Sequence, residues 1–300
     1  MELQLIIFSV FLPTACAVAL VVLSRRIASP RCGAALALAL VLSAMSQDSF
    51  GGIPPTNGWM WFPLAVAALA CAGAVAGRSV NTRGRRAVFC LIAAMIAALL
   101  LPIPMWGAID SRLLLALTLA TVSALLLPIG MHRGGFSTWF AFSIALAGTS
   151  GIALLTCFAK LAITLGAASF TCGMLGLAAT VFHPRHTLHA GFTGTLVIAG
   201  CSVLGAATSF AYETNTTPHW IFFVAAIAPL GCWLGEAQPF RSSVMASALA
   251  RIIGTLALAG LAVVGATLST TIVSSASKDA YACISGNSGH NQIASRVQVR

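Results

Sequence analysis

Charge is what this sequence has least of. Only 7% of its 300 residues are Asp, Glu, Lys or Arg, whereas a soluble domain carries about a quarter. A water-exposed surface cannot be kept soluble with so few charges, and 59% of the chain is hydrophobic, so a soluble fold is excluded. Carboxylates are scarcer still, at six Asp and Glu in all. None stands well inside an apolar run, and neither does any histidine. The paired acid–base or His/Asp set that an intramembrane enzyme needs at one depth is therefore missing, and the reading leans away from an enzyme. No CxxC pair occurs among the nine cysteines, almost all of which stand singly inside apolar runs. They read as small, soft side chains of helix interfaces rather than metal ligands or disulfides. No motif for a cofactor is present. The net charge of +10 comes without a basic stripe interleaved with aromatics, which argues against nucleic acid.

Long hydrophobic runs are what the chain has instead. The stretch from Trp139 to Val181 carries one charge, Lys160. A hydrocarbon core of ~30 Å takes roughly 20 helical residues to cross. The stretch is thus two spans, reversing at Phe158-Ala159-Lys160-Leu161. Extended along the chain, the same reasoning predicts an all-α integral membrane protein. It is a bundle of about ten transmembrane helices, near 3–23, 32–46, 59–77, 87–102, 113–131, 137–159, 161–182, 190–210, 220–234 and 249–273. The first run is too long for a signal-peptide core and has no basic residues before it, so it reads as a retained span. Residues 1–273 form one transmembrane domain, and 274–300, rich in Ser, Asn and Gly, a flexible polar tail.

Basic residues test that count. Arg25, Arg26, Arg31, Arg78, Arg83, Arg85, Arg86, Arg133, Arg185, Arg241 and Arg251 fall on one side of the alternating topology. Arg112, Lys160 and the basic residues of the tail fall on the other, with Glu2, Asp48, Asp110, Glu213 and Asp279. Positive charge prefers short cytoplasmic loops, which puts both ends of the sequence outside the cytoplasm. A weak parallel repeat is also visible. Trp59-Met-Trp-Phe with Cys71 matches Trp220-Ile-Phe-Phe with Cys232, laying spans one to four over spans seven to ten. Such repeats occur in transporters.

The run Gly52-Ile-Pro-Pro-Thr-Asn-Gly-Trp-Met-Trp-Phe-Pro63, following a first span that ends in Arg25-Arg26, resembles uncharacterised multi-pass inner-membrane proteins of planctomycete-type bacteria. The resemblance covers about the first quarter of the chain and implies a bacterial cytoplasmic membrane and no activity. Leu234-Gly235-Glu236 after an apolar helix is similar to the drug/metabolite transporter superfamily. That family keeps its termini in the cytoplasm, however, and the first half here has no second Gly-Glu.

Few residues are candidates for chemistry. Lys160 would guard a solute pathway if it were held within the membrane. It equally suits a reversal whose lysine stem reaches the headgroups. Glu236 would couple protons or cations as an intramembrane carboxylate, or pair with Arg241 in water. His183, His186 and His189 offer imidazoles for a metal, but i, i+3, i+6 spacing shares a face only on a 3₁₀ turn, and Pro184 interrupts. Asp110 and Arg112 read as an outer-loop ion pair. Two functions stay open: a transporter or permease for a small solute, or a non-transporting scaffold or subunit of an envelope complex. The partners implied are the lipid bilayer and, for the first reading, the solute.

Overall fold

The computed structural model describes residues 7–23, 30–47, 55, 58–79, 82–102, 109–133, 135–181, 188–213, 217–241 and 243–297. These residues are helical or in short connections, with no strand among them. A π-helical turn, Ile7–Phe11, leads into α1 (Leu12–Leu23), and α2 is Pro30–Ser46. A 3₁₀ turn, Gly58–Met60, opens α3 (Trp61–Ser79), followed by α4 (Arg83–Leu100), α5 (Ile109–His132) and α6 (Phe136–Leu155). Next come α7 (Ala159–Val181), α8 (Gly191–Ala211) and α9 (His219–Ile227), which continues as a 3₁₀ helix, Ala228–Glu236. A single turn at Gln238–Arg241 precedes the last helix, α10 (Val244–Val297). Seven of these segments are long and apolar enough to cross a membrane: Gly58–Gly77, Ile109–His132, Phe136–Leu155, Ala159–Val181, Gly191–Ala211, His219–Glu236 and Val244–Thr271. The expectation of about ten spans is therefore met in full length by seven. Ile7–Val21 and Cys32–Ser46 are apolar but shorter, and α4 opens with three arginines among its first four residues.

Helix α8 is the axis of the bundle. Its apolar window is 94% buried, and α2, α3, α5, α6 and α9 all pack on it. A helix buried on every side needs small side chains, because its neighbours must approach from all directions. The sequence supplies them as Gly194, Ala199, Gly200, Gly205 and Ala206. Three of its hydroxyls turn inward on their own helix: Thr195, Thr208 and Ser209 donate to the carbonyls of Gly191, Leu204 and Gly205. These three groups are satisfied locally. The outer surface is the reverse. Val88, Ile92, Ile96 and Leu99 on α4, and Ile253, Leu256, Val264 and Leu268 on α10, are exposed. Apolar stripes of that extent mark a surface that meets lipid rather than water.

Connections gather at two ends. At one, the Arg86 guanidinium reaches the Met131 sulfur at 3.4 Å, and the Trp139 indole donates to the Leu188 carbonyl at 2.9 Å. At the other, the Phe158 ring lies 5.5 Å from Trp59 and 5.1 Å from Tyr212. Gly58 is pressed there between the Pro102 carbonyl and the Tyr212 hydroxyl, where an added Cβ would come within 2.6 Å of each. Nearby, Gln47 donates to Thr164 at 3.1 Å, joining α2 to α7.

The reversal inside the 139–181 run falls at Thr156–Phe158, two residues before the expected one. Phe158 donates back to Ala153, and Cys157 takes φ 61°, a left-handed conformation that a side chain adopts at some cost. Trp59 and Trp220, matched by the expected repeat, sit in different surroundings: Trp59 is buried and Trp220 is 47% exposed. Helix α3 is also unbroken where α9 changes form. Helix α10 runs on in backbone to Val297. The side chains of 272–297, and with them the expected polar tail, lie outside the described residues.

Trp139, 1% exposed, anchors α6 with its ring and its one N–H. Trp139→Phe keeps most of the ring but orphans the Leu188 carbonyl, and should cost about 1–3 kcal/mol. Trp139→Ala should cost about 3–5 kcal/mol. Melting in detergent, followed by intrinsic fluorescence of the other tryptophans, checks both values.

Candidate functional site

The ninth span changes helix type halfway. Pro229 has no N–H to give the Ala225 carbonyl, which an α-helix would require. The Ala228 N–H bonds to the Ala225 carbonyl instead, an i to i−3 contact that starts the 3₁₀ winding. Nine residues then stay in that form, to Glu236, although 3₁₀ runs beyond three or four residues are uncommon. The tighter helix rises faster. Nine residues at ~1.5 Å and nine at ~2.0 Å together cover about 31 Å, enough for a hydrocarbon core. Without the change, this short segment would fall several ångströms short.

Small residues let this stretch lie against α10 backbone to backbone. A Cβ on Gly231 would meet the Gly254 carbonyl carbon and the Thr255 nitrogen at 2.5 Å. Gly235 has no room for one either, with the Ser247 carbonyl at 2.5 Å and the Arg251 side chain across it. Ser247 closes the contact by donating to the Gly235 carbonyl at 2.8 Å. Cys232 Sγ and Thr255 Oγ1 meet at 3.6 Å one turn further in.

That close approach delivers Glu236 to two arginines. Arg251 Nη2 donates to Glu236 Oε1 at 2.6 Å, and Arg133 Nη2 to Oε2 at 2.9 Å. Arg251 also reaches Thr138 Oγ1 on α6 at 3.3 Å. One carboxylate thus joins the C-terminal end of α5, the start of α10 and the end of the broken span, while Arg251 ties in α6. The two bonds differ in environment. The Arg251 side chain is 8% exposed and that of Arg133 is 40% exposed. Among the described residues, Arg251 Nε has no hydrogen-bond partner. Two guanidiniums on one carboxylate leave the cluster net positive. As it stands, it repels cations and works as a clasp between four spans.

The expected site residues are distributed unevenly. Glu236 sits at this clasp, but its partners are Arg133 and Arg251 rather than Arg241, which is exposed. Lys160 is exposed in the first turn of α7, far along the chain from any of the clasp residues and two residues from Phe158 at the opposite end. His183 and His186 lie outside the described residues. His189 is half-buried, and no group of three potential metal ligands occurs among the described residues. Asp110 and Arg112 form no salt bridge; both bridges among the described residues belong to Glu236. The sequence reading took Arg251 only as a topological charge. The available signal was its place beyond Leu249, inside an apolar helix, where an arginine needs a partner.

Cavities lined by described residues include three that indent the helices. One of about 360 Å³ lies between α4 and α5 near Arg86 and His132. One of about 240 Å³ lies among α5, α8 and α9 near Thr118 and His219. The third, about 260 Å³, lies near Met95 and Arg112. None of the three is lined by the clasp residues. Two buried hydroxyls, Ser123 on α5 and Ser202 on α8, have no hydrogen-bond partner among the described residues. Helices α5 and α8 touch where Gly130 meets Thr195. Each serine stands seven residues from that contact, so in an antiparallel pair the two lie at the same depth. Comparison with protein-family models, curated proteins and solved structures finds no match to the chain.

Proposed function

We propose that this chain is a ten-span protein of a bacterial cytoplasmic membrane, and that it acts as a transporter or permease for a small solute. Seven spans rest on length and apolarity. The other three, α1, α2 and α4, are supported by the grouping of connections at two ends and, for α4, by its exposed Val88, Ile92, Ile96 and Leu99. The end that holds Arg85, Arg86, Arg133, Arg241 and Arg251 takes the cytoplasmic side by the preference of positive charge for that face. Both ends of the sequence then lie outside.

The observation that carries the transport reading is the broken ninth span. Discontinuous helices that end in charged groups are the parts transporters move and bind with. Here a 3₁₀ segment lies on glycine contacts against α10 and is tied at its cytoplasmic end by Glu236. The unpartnered hydroxyls of Ser123 and Ser202 add polar stations at mid-depth. The test is stopped-flow light scattering on proteoliposomes challenged with glycerol, urea, glycine and lactate. Flux of at least one of these above protein-free liposomes, abolished by Gly231→Leu, supports the reading. Flux equal to that of empty liposomes for all four removes it. The second reading, a non-transporting scaffold or envelope subunit, is favoured by the tight packing around α8, whose apolar window is 94% buried.

A further inference from the structure

The two arginines on Glu236 are held in place without it. Arg133 follows the last residue of α5, and Arg251 stands two turns into α10. Arg251 Nη1 donates to Thr138 on α6 at 3.3 Å, and the Arg251 carbonyl takes the Thr255 hydroxyl of its own helix at 2.9 Å. The pair of guanidiniums is thus placed by α5, α6 and α10. Glu236 reaches it from a fourth element, the 3₁₀ segment. The carboxylate can turn away with its side chain or its segment while both arginines stay where they are.

Glu236 also leaves the pair partly unused. A guanidinium has five N–H donors. The carboxylate takes one from each arginine, Oε1 from Arg251 Nη2 and Oε2 from Arg133 Nη2. Arg251 Nε is buried and has no hydrogen-bond partner among the described residues. A carboxylate tied to the chain is shared between two arginines, whereas an untethered one can take two donors of a single guanidinium side by side, the stronger geometry.

Charge points the same way. The other two carboxylates with described side chains, Asp110 in the first turn of α5 and Glu213 just past α8, stand at the opposite end of those helices. With Glu236 turned away, two guanidiniums face one carboxylate-sized space, and one of them is buried. A buried charge in that state needs an anion. A cation is repelled there, and a neutral solute leaves Arg251 uncompensated.

We infer that Arg133 and Arg251 are the binding site of a small monocarboxylate, and that Glu236 is the chain's own occupant of that site. The free anion reproduces the single charge and both hydrogen bonds, and it releases the end of the 3₁₀ segment when it displaces Glu236. On the transport reading proposed above, that anion is the solute carried, and its binding is measurable whether or not flux follows.

Isothermal titration calorimetry of the full chain in detergent, in a chloride-free buffer, tests this with lactate, glycerol and inorganic phosphate as probes. Lactate should bind the wild type weakly and Glu236→Gln about tenfold more tightly, because the internal competitor is gone. Arg251→Met should abolish lactate binding and Arg133→Gln should weaken it. Arg241→Gln, exposed at the same end, should leave it within about twofold. Glycerol should not bind. Equal lactate affinity in wild type and Glu236→Gln would overturn the inference. So would an Arg241→Gln loss as large as that of Arg251→Met, which means diffuse surface attraction, or phosphate binding more tightly than lactate. If Glu236→Gln does not elute as a folded protein, Glu236→Asp decides by the same criteria, since its shorter carboxylate competes less well. Proteoliposome flux separates the two readings. Glycerol or urea flux without lactate binding removes the carboxylate site and leaves transport standing. The expected binding pattern without flux of any solute leaves the site standing and removes transport.

Discussion

Glu236→Gln should destabilise the protein by about 3–5 kcal/mol, more than any other single charge change in the described chain. The reason lies in what is left behind. Arg251 is buried to 94% and receives its charge compensation from one oxygen of Glu236, 2.6 Å away. A glutamine of the same shape keeps the contact but not the charge, so an uncompensated guanidinium remains between α6, α10 and the 3₁₀ segment. Arg133→Gln removes the other partner of the same carboxylate and should cost no more than about 1 kcal/mol. Arg133 is 40% exposed, and water replaces most of what is lost. The double change Glu236→Gln with Arg251→Met should recover a large part of the single loss, because it removes the stranded charge. Melting in detergent at matched micelle concentration measures all three. If Glu236→Gln and Arg133→Gln cost the same, the clasp is a surface feature and has no locking role.

The second large effect falls where the broken span touches α10. Gly231→Leu should cost about 3 kcal/mol or more, since its Cβ would land 2.5 Å from main-chain atoms of Gly254 and Thr255 that have no rotamer to yield. Gly254→Leu should do the same from the other side, meeting the Gly231 carbonyl oxygen. Gly260, six residues on along α10, has nothing within 4 Å of a built Cβ. Gly260→Ala should therefore be neutral or gain a few tenths of a kcal/mol from helix propensity. The contrast separates a steric contact from a general dislike of larger residues in α10. Gly231→Leu should also weaken the Glu236–Arg251 bridge, because the carboxylate is carried on the segment being pushed away. Gly231→Leu combined with Glu236→Gln should then cost less than the sum of the two.

Membrane character was legible in the sequence because it depends on composition and run length, and both survive any rearrangement of contacts. The 139–181 run split where its one lysine stood, to within two residues. The difference arises because Cys157 closes the turn in a left-handed conformation that the sequence does not signal. The short spans were less legible. Residues 219–236 reach about 31 Å only because Pro229 starts a 3₁₀ winding that persists to Glu236, and no periodicity in the apolar pattern announces that. Glu236 stood out as the lone acidic residue among basic loops, yet its partners did not. Arg241 is five residues away in sequence, whereas Arg133 and Arg251 arrive through tertiary packing set by Gly231 and Gly235. Glycines that matter through what touches them leave no mark distinguishing them from Gly260, which touches nothing. Lys160 drew notice by charge alone, and it stands exposed in the first turn of α7.

The topology is the claim on which the rest depends, and substituted-cysteine labelling tests it most directly. Thr82→Cys, Asp110→Cys, Lys160→Cys and Arg241→Cys would each be made in a background with the native cysteines replaced. Each is an exposed position at a helix end. In intact cells treated with a membrane-impermeant maleimide, positions 110 and 160 should label readily, and positions 82 and 241 only after permeabilisation. Labelling of 82 together with 110 in intact cells would mean that α4 does not cross the membrane. Labelling of 160 together with 241 would mean that the broken ninth span does not separate the two faces, and the clasp on Glu236 would lose its place at the cytoplasmic end.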